Sequence, residues 1–200
     1  MVVLCSLTAA VSVGGNPVTG LDHSVFRSVG HGVDPLGVVT AVAEVGDVRV
    51  IIVVLAVVAI VAAQLTWRVW PLLLAAGNGG VMAGVVEAMK VAVGRIGPGM
   101  VPGERPGYPG YFPSGHTAAA AVCIGTSAYL VAALWTRRRT SSHPSAPVAV
   151  GLGLGLAAGV VEGATTVLTV NHWTSDVVAS LALSTVVIVV GCALARRSAD

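Results

Sequence analysis

Charge is scarce in this sequence. Of 200 residues, 11 are Lys or Arg and 9 are Asp or Glu, 10% of the chain, against about 25% in a soluble domain. With 55% hydrophobic residues and a mean hydropathy of +0.87, too little polar side chain is present to cover a fold in water. That excludes a free-standing soluble enzyme and a disordered chain. Aromatic residues are also few, at 4%; the apolar mass is Val, Ala, Leu and Ile. No run of like charge exceeds Arg137-Arg138-Arg139 and the net charge is +2, so nucleic acid is not among the expected partners. Three cysteines, Cys5, Cys123 and Cys192, stand in apolar segments with no CxxC pair or metal-like spacing, and read as small buried hydrophobes. No cluster of carboxylates is present to hold a divalent cation. A single lysine against ten arginines points to GC-rich coding and a bacterial source.

What is present is a series of apolar runs, each close to the roughly 20 residues that cross a hydrocarbon core. They are Val48 to Trp67, Trp70 to about Val93, Gly115 to Trp135, Pro147 to Val170, and Trp173 to about Ala195. Met1 to Val13 is apolar but short. No basic residue precedes it as in a signal peptide, and it reads as the truncated end of a first transmembrane helix. Gly14 to Asp47, with Asp22, His23, Arg27, His31, Asp34, Glu44 and Asp47, reads as a polar loop with a short surface helix. The expected fold is all-α, one domain over residues 1–200, a polytopic bundle of about six transmembrane helices.

Arg68, Arg137–Arg139, Arg196 and Arg197 fall on one side of such a bundle. The positive-inside rule makes that side cytoplasmic, with both termini, and makes the Gly14–Asp47, Arg95–Pro113 and Asn171 segments extracytoplasmic. Trp67, Trp70, Trp135 and Trp173 sit at span ends, where an interfacial belt would. Gly151, Gly155, Gly159 and Gly163 recur every fourth residue, a smooth helix face that lets a neighbouring backbone approach.

Ionisable groups at a membrane rim are costly and need a reason. Three clusters lie on the outer side. Lys90 and Arg95 close one span; basic groups there either snorkel or bind an anion, and Glu87 shares a face with Lys90. Pro113-Ser114-Gly115-His116 begins another. Ser114 suits an N-cap, Gly115 permits close approach, and free N–H groups at a helix start favour phosphate. In Asn171-His172-Trp173-Thr174-Ser175-Asp176, His172 and Asp176 are four apart and share a helix face. The acid either fixes the imidazole tautomer or simply caps the helix. Together the clusters describe a phosphate pocket in which one histidine attacks phosphorus and the other protonates the leaving oxygen.

With these residues in view, the sequence resembles the type-2 phosphatidic acid phosphatase family of membrane lipid phosphatases over about residues 48–195. That family carries the motifs Lys-x6-Arg-Pro, Pro-Ser-Gly-His and Ser-Arg-x5-His-x3-Asp. Here Lys90 and Pro98, the full Pro113-Ser114-Gly115-His116, and His172 with Asp176 match. The resemblance implies that His172 is the nucleophile of a phosphohistidine intermediate, Asp176 orients it and His116 is the general acid. It implies that Lys90, Ser114 and the Gly115 amide hold the phosphoryl oxygens, with no metal and no cofactor. The implied substrate is a lipid phosphate or diphosphate in the bilayer: polyprenyl diphosphate, a polyprenyl-phosphate sugar phosphate, phosphatidic acid or phosphatidylglycerol phosphate. Two motif arginines are missing, their places taken by Gly97 and Thr166; Arg95 and Arg105 are the expected substitutes on the phosphate. A weakly catalytic lipid-phosphate binder or scaffold, and a lipid phosphotransferase, are the alternatives. Oligomeric state is not encoded legibly.

Overall fold

Inside a bilayer a backbone finds no water, so each apolar run must satisfy its own N–H and C=O groups, and a helix does this within one segment. The computed structural model describes residues 2–13, 15–30, 37, 39, 47–101, 107–138 and 145–199. Among them are seven helices and no strand: α1 (Val2–Val13), α2 (Pro17–Val29), α3 (Val48–Thr66), α4 (Trp70–Val93), α5 (Gly115–Arg138), α6 (Ala146–Leu168) and α7 (Thr174–Ala199). The last five are long and apolar enough to cross a membrane, over Val48–Thr66, Trp70–Val93, Gly115–Thr136, Ala146–Leu168 and Thr174–Arg197. The chain is a multi-pass membrane protein, and the span limits match those read from hydropathy to within a few residues.

The ends of these helices have local causes. Asp47 caps α3, its carboxylate accepting from Arg49 N–H at 2.7 Å. Pro71 lies in the first turn of α4, where a missing N–H costs nothing. Gly94 ends α4 in the left-handed region, at φ 59°, its N–H on Lys90 C=O. The five helices alternate in direction, so the starts of α3, α5 and α7 meet the ends of α4 and α6 at one end of the bundle. Helix α5 runs through the centre, against α3, α4, α6 and α7, and its Ala118–Cys123 stretch is buried. By contrast Val53, Val57 and Ile60 of α3 are exposed, the face that lipid would cover. Asn78, buried within α4, donates to Thr126 Oγ1 of α5 at 3.0 Å, a polar tie between spans.

The N-terminal region differs from the sequence reading. Helices α1 and α2 meet at a bend of 78° and only together have the length and composition of a span. Helix α1 packs on α7, α2 and α4. The short helix expected between Gly14 and Asp47 is α2, 13 residues long and capped: Asn16 accepts from Val18 and Thr19 N–H, and Thr19 Oγ1 accepts from Asn16 N–H. Its Asp22 is buried. His31, Asp34 and Glu44 lie outside the described residues. The tryptophan belt also divides: Trp67 is 94% exposed and Trp135 is exposed, but Trp70 and Trp173 are buried in the bundle.

The glycine face of α6 does what its spacing implies. A Cβ on Gly155 would lie 2.6 Å from Ala121 C=O, and one on Gly151 2.8 Å from Gly125 C=O. Both oxygens belong to α5, so backbone meets backbone along the α5–α6 seam. Gly153, two residues away, faces open space. Gly155→Ala is therefore expected to force the seam apart at a cost of about 1–3 kcal/mol, while Gly153→Ala leaves stability unchanged or raised. Thermal melting of the two variants in detergent distinguishes them; equal midpoints would contradict the seam.

Candidate active site

Three chain segments converge at the bundle end where α5 and α7 begin. The first is the turn after α6. Thr166 C=O accepts from the N–H groups of Asn171 (2.8 Å) and His172 (3.1 Å), which closes α6 and aims His172 at the bundle. Between them Val170 sits at φ 61°, a left-handed conformation that a β-branched residue rarely adopts. The second is the first turn of α7. Asp176 Oδ2 reaches back to Trp173 N–H at 3.1 Å, and lies 3.2 Å from His172 Nδ1. The carboxylate thus caps the helix and holds the imidazole at once, so both readings of the four-residue spacing apply. His172 and Asp176 are buried, Asp176 completely.

The third is the chain between α4 and α5, described over residues 94–101 and 107–114. Gly110 turns at φ 136°, a Cβ there meeting Lys90 C=O at 2.9 Å, and Tyr111 N–H donates to Arg95 C=O at 2.9 Å. A cis peptide joins Phe112 to Pro113. Ser114 is fully buried and starts α5, its Oγ accepting from Thr117 N–H at 3.3 Å and from Thr117 Oγ1 at 3.0 Å. Ser114 N–H faces Asp176 C=O at 3.3 Å, and Ser180 Oγ lies 2.8 Å from both Ser114 and Asp176 carbonyls. Two helix N-termini, each the positive end of a dipole, are thereby fixed side by side.

An apolar cleft of about 660 Å³ opens between α3, α4 and α5 and ends on this junction. One end is formed by Lys90, Gly115, His116 and His172, and the walls by small and aliphatic residues such as Leu55, Ala59, Gly80 and Met82. Lys90 Nζ reaches over the start of α5, 3.5 Å from where a Cβ of Gly115 would stand. It pairs with Glu87 at 3.0 Å and lies 5.8 Å above the Tyr108 ring. His116 is exposed to the cleft, and His172 is edge-on to Tyr111, centroids 5.7 Å apart. Among the described residues, no three His, Cys, Asp or Glu side chains come together as a metal site would.

Of the residues expected at the site, Lys90, Gly115, His116 and His172 face one cleft, while Ser114 and Asp176 lie behind them. Arg105 is outside the described residues. Arg95 is close by, but its guanidinium faces acids: Nη1 lies 2.5 Å from Asp176 Oδ1 and 2.6 Å from Ser175 Oγ, and Nη2 2.7 Å from Asp22 Oδ2. It also stacks 5.3 Å from the Trp173 ring, whose Nε1–H donates to Ile96 C=O at 2.8 Å. Asp22 was legible only as one polar residue of a loop. The signal for it was the capped start at Asn16-Pro17 followed by Asp22, Val25, Phe26 and Val29 at helical spacing. Tyr111 fills the space beside Gly97, where a Cβ would meet its ring at 2.9 Å.

A multi-pass helical bundle with a His–Asp pair and a second histidine between two helix N-termini, at one end of an apolar cleft, defines the class: a membrane phosphatase fold. The chain belongs to the PAP2 superfamily, whose family model matches residues 55–199. Its fold is that of the crystal structure of a transmembrane PAP2-type phosphatidylglycerolphosphate phosphatase from Bacillus subtilis. The TM-score is 0.75 at 16% identity, with 96% of this chain and 91% of that one covered. No curated protein matches the sequence.

The Gly97–Tyr111 contact gives a quantitative test. Gly97→Ala should displace the ring and destabilise by about 1–3 kcal/mol. In Tyr111→Ala the added methyl has room, so the double variant should cost clearly less than the sum of the two singles. Strict additivity in thermal or denaturant unfolding would show that the ring does not occupy this space.

Proposed function

We propose that this protein is a metal-independent lipid phosphatase, hydrolysing a phosphate or diphosphate ester of a membrane lipid at the extracytoplasmic face through a phosphohistidine. The observation that carries the proposal is the cleft. From Leu72 to Lys90 its wall follows α4 for about 27 Å at about 1.5 Å per residue. A lipid tail can lie there, in contact with apolar walls, while the headgroup meets Lys90 and both histidines. The arginines at the opposite end of the bundle support placing the site outside and the termini in the cytoplasm.

The chemistry follows from the geometry. With Nδ1–H of His172 held by Asp176, Nε2 carries the lone pair and attacks phosphorus. The phosphorus–oxygen bond to the lipid breaks as the phosphorus–nitrogen bond forms, and His116 gives its proton to the departing oxygen. Lys90, the Gly115 amide and the dipole of α5 offset the phosphoryl charge. A water then attacks the phosphohistidine and passes a proton to His116, and inorganic phosphate leaves His172 free. Ser114, whose hydroxyl is engaged with Thr117, supports the cradle from behind.

A second reading has one observation in its favour. Arg95 is committed to carboxylates, so among the described residues Lys90 is the cation that lines the cleft; a chain with weakened phosphate contacts would bind lipid phosphate and turn it over slowly.

One assay series decides. Purified protein in detergent, with chelator present, is expected to release phosphate from a panel of lipid phosphates and diphosphates. His172→Ala should abolish release. His116→Ala should lower it by about 10²–10⁴-fold, most for substrates with poor leaving groups. Gly80→Phe, which fills open cleft space, should raise KM for long-tailed lipids and spare a soluble aryl phosphate. Folded protein with no turnover on any member would leave the binding reading; loss of activity with chelator would contradict metal independence.

A further inference from the structure

We infer that Asp22 is a positioning residue for the His172–Asp176 pair, and that α2, which precedes the residues matched by the family model, completes the site. Its kinetic consequence rests on the phosphatase reading above; its effect on the imidazole does not.

Asp22 is 2% exposed and the hydrogen bonds of its carboxylate lead to the site. Oδ1 accepts from Ser175 N–H at 2.9 Å. Oδ2 accepts from Ser175 Oγ at 2.5 Å and from Arg95 Nη2 at 2.7 Å. A buried acid from α2 therefore caps the first turn of α7, in which Asp176 stands. The same acid grips one arm of Arg95, while the other arm of that guanidinium holds Asp176 Oδ1 at 2.5 Å. Because the guanidinium is a rigid planar fork, fixing one arm fixes the other. Asp176 Oδ1 is then committed to Arg95, and Oδ2 is left to Trp173 N–H and His172 Nδ1. Two acids share one base here, so Arg95 does not neutralise the pair and Asp176 retains charge to offer the imidazole.

The helix that delivers Asp22 is itself seated on the site. Phe26 and His23 pack on Trp173, at centroid distances of 5.7 and 5.0 Å, and Phe26 also lies over Gly99. Residues 22, 25 and 26 wall a small gap of about 10 Å³ together with Pro98, His172 and Trp173. Without Asp22, Arg95 Nη2 would lose its anion while still 11% exposed. It would be drawn toward Asp176 alone or outward to phosphate and water, and in either case the carboxylate behind His172 would be free to move. A misplacement of about 1 Å behind a reacting group can cost about 10²-fold in rate.

The test uses the full chain in detergent with Asp22→Asn, Asp22→Ala and Asp22→Glu, and dioleoyl phosphatidic acid as substrate. Histidine-labelled protein supplies a ¹⁵N spectrum in which His172 is assigned by His172→Gln. Asp22→Asn and Asp22→Ala are expected to lower kcat by about 10²-fold with little change in KM. The His172 signal should move away from a single Nδ1–H tautomer, and Asp22→Glu should recover part of both. If Asp22→Ala does not fold, Asp22→Asn decides, since it keeps the volume and an acceptor for Ser175 N–H. Unchanged kcat with an unchanged His172 signal overturns the inference, as does a raised KM at unchanged kcat. If the wild type turns over no lipid phosphate, the phosphatase reading fails, and the ¹⁵N spectra still decide the positioning role.

Discussion

The carboxylate of Asp176 is the constraint on which the rest of this end of the molecule depends. It is completely buried, and a buried charge survives only if its lone pairs are filled. Trp173 N–H, His172 and Arg95 fill them, while the backbone carbonyl of the same residue faces Ser114 N–H and Ser180 Oγ. These partners come from four pieces: the first turns of α7, the turn after α6, the segment after α4 and the start of α5. Satisfying one acid thus assembles two helix N-termini and a histidine in a single arrangement. Arg95 extends the assembly to Asp22 and Ser175, which brings α2 into it.

The same scarcity that makes each charge expensive in a bilayer separates polar from apolar in the cleft. One end holds Lys90 with its partners Glu87 and Tyr108, together with His116 and His172, and the rest of the lining is Leu, Ile, Val, Ala, Met, Gly and Cys123. A molecule with a charged head and a long apolar tail is the kind of ligand that satisfies both parts. The proposed lipid phosphatase follows from that match and from membership of the PAP2 superfamily, with the likeness to the Bacillus subtilis structure bearing on fold alone.

Much of this was legible in the sequence, for identifiable reasons. The spans were legible because hydropathy over about 20 residues is dictated by the bilayer. The glycine face of α6 was legible because a four-residue repeat admits one geometry, and α5 does pack into it. His116, His172 and Asp176 were singled out by local spacing and by resemblance. What spacing could not give was the far partner. Asp22 and Arg95 are 73 positions apart, and nothing local says that a charge in a polar stretch will be buried under another helix. Trp173 read as an interfacial anchor because position at a span end was all the sequence offered; its burial by His23 and Phe26 is tertiary. Gly97 read as a missing arginine, whereas in three dimensions the Tyr111 ring stands beside it.

The central claim, that His172 held by Asp176 is the group that attacks phosphorus, is tested most directly by trapping. Enzyme mixed with a lipid labelled in its phosphate and quenched in alkali within the first turnover should carry an acid-labile, alkali-stable label that peptide mapping places on His172. The label should be absent from His172→Ala and should accumulate in His116→Ala if water attack needs that base. Rapid phosphate release by active enzyme with no label on His172 at any time would contradict the account.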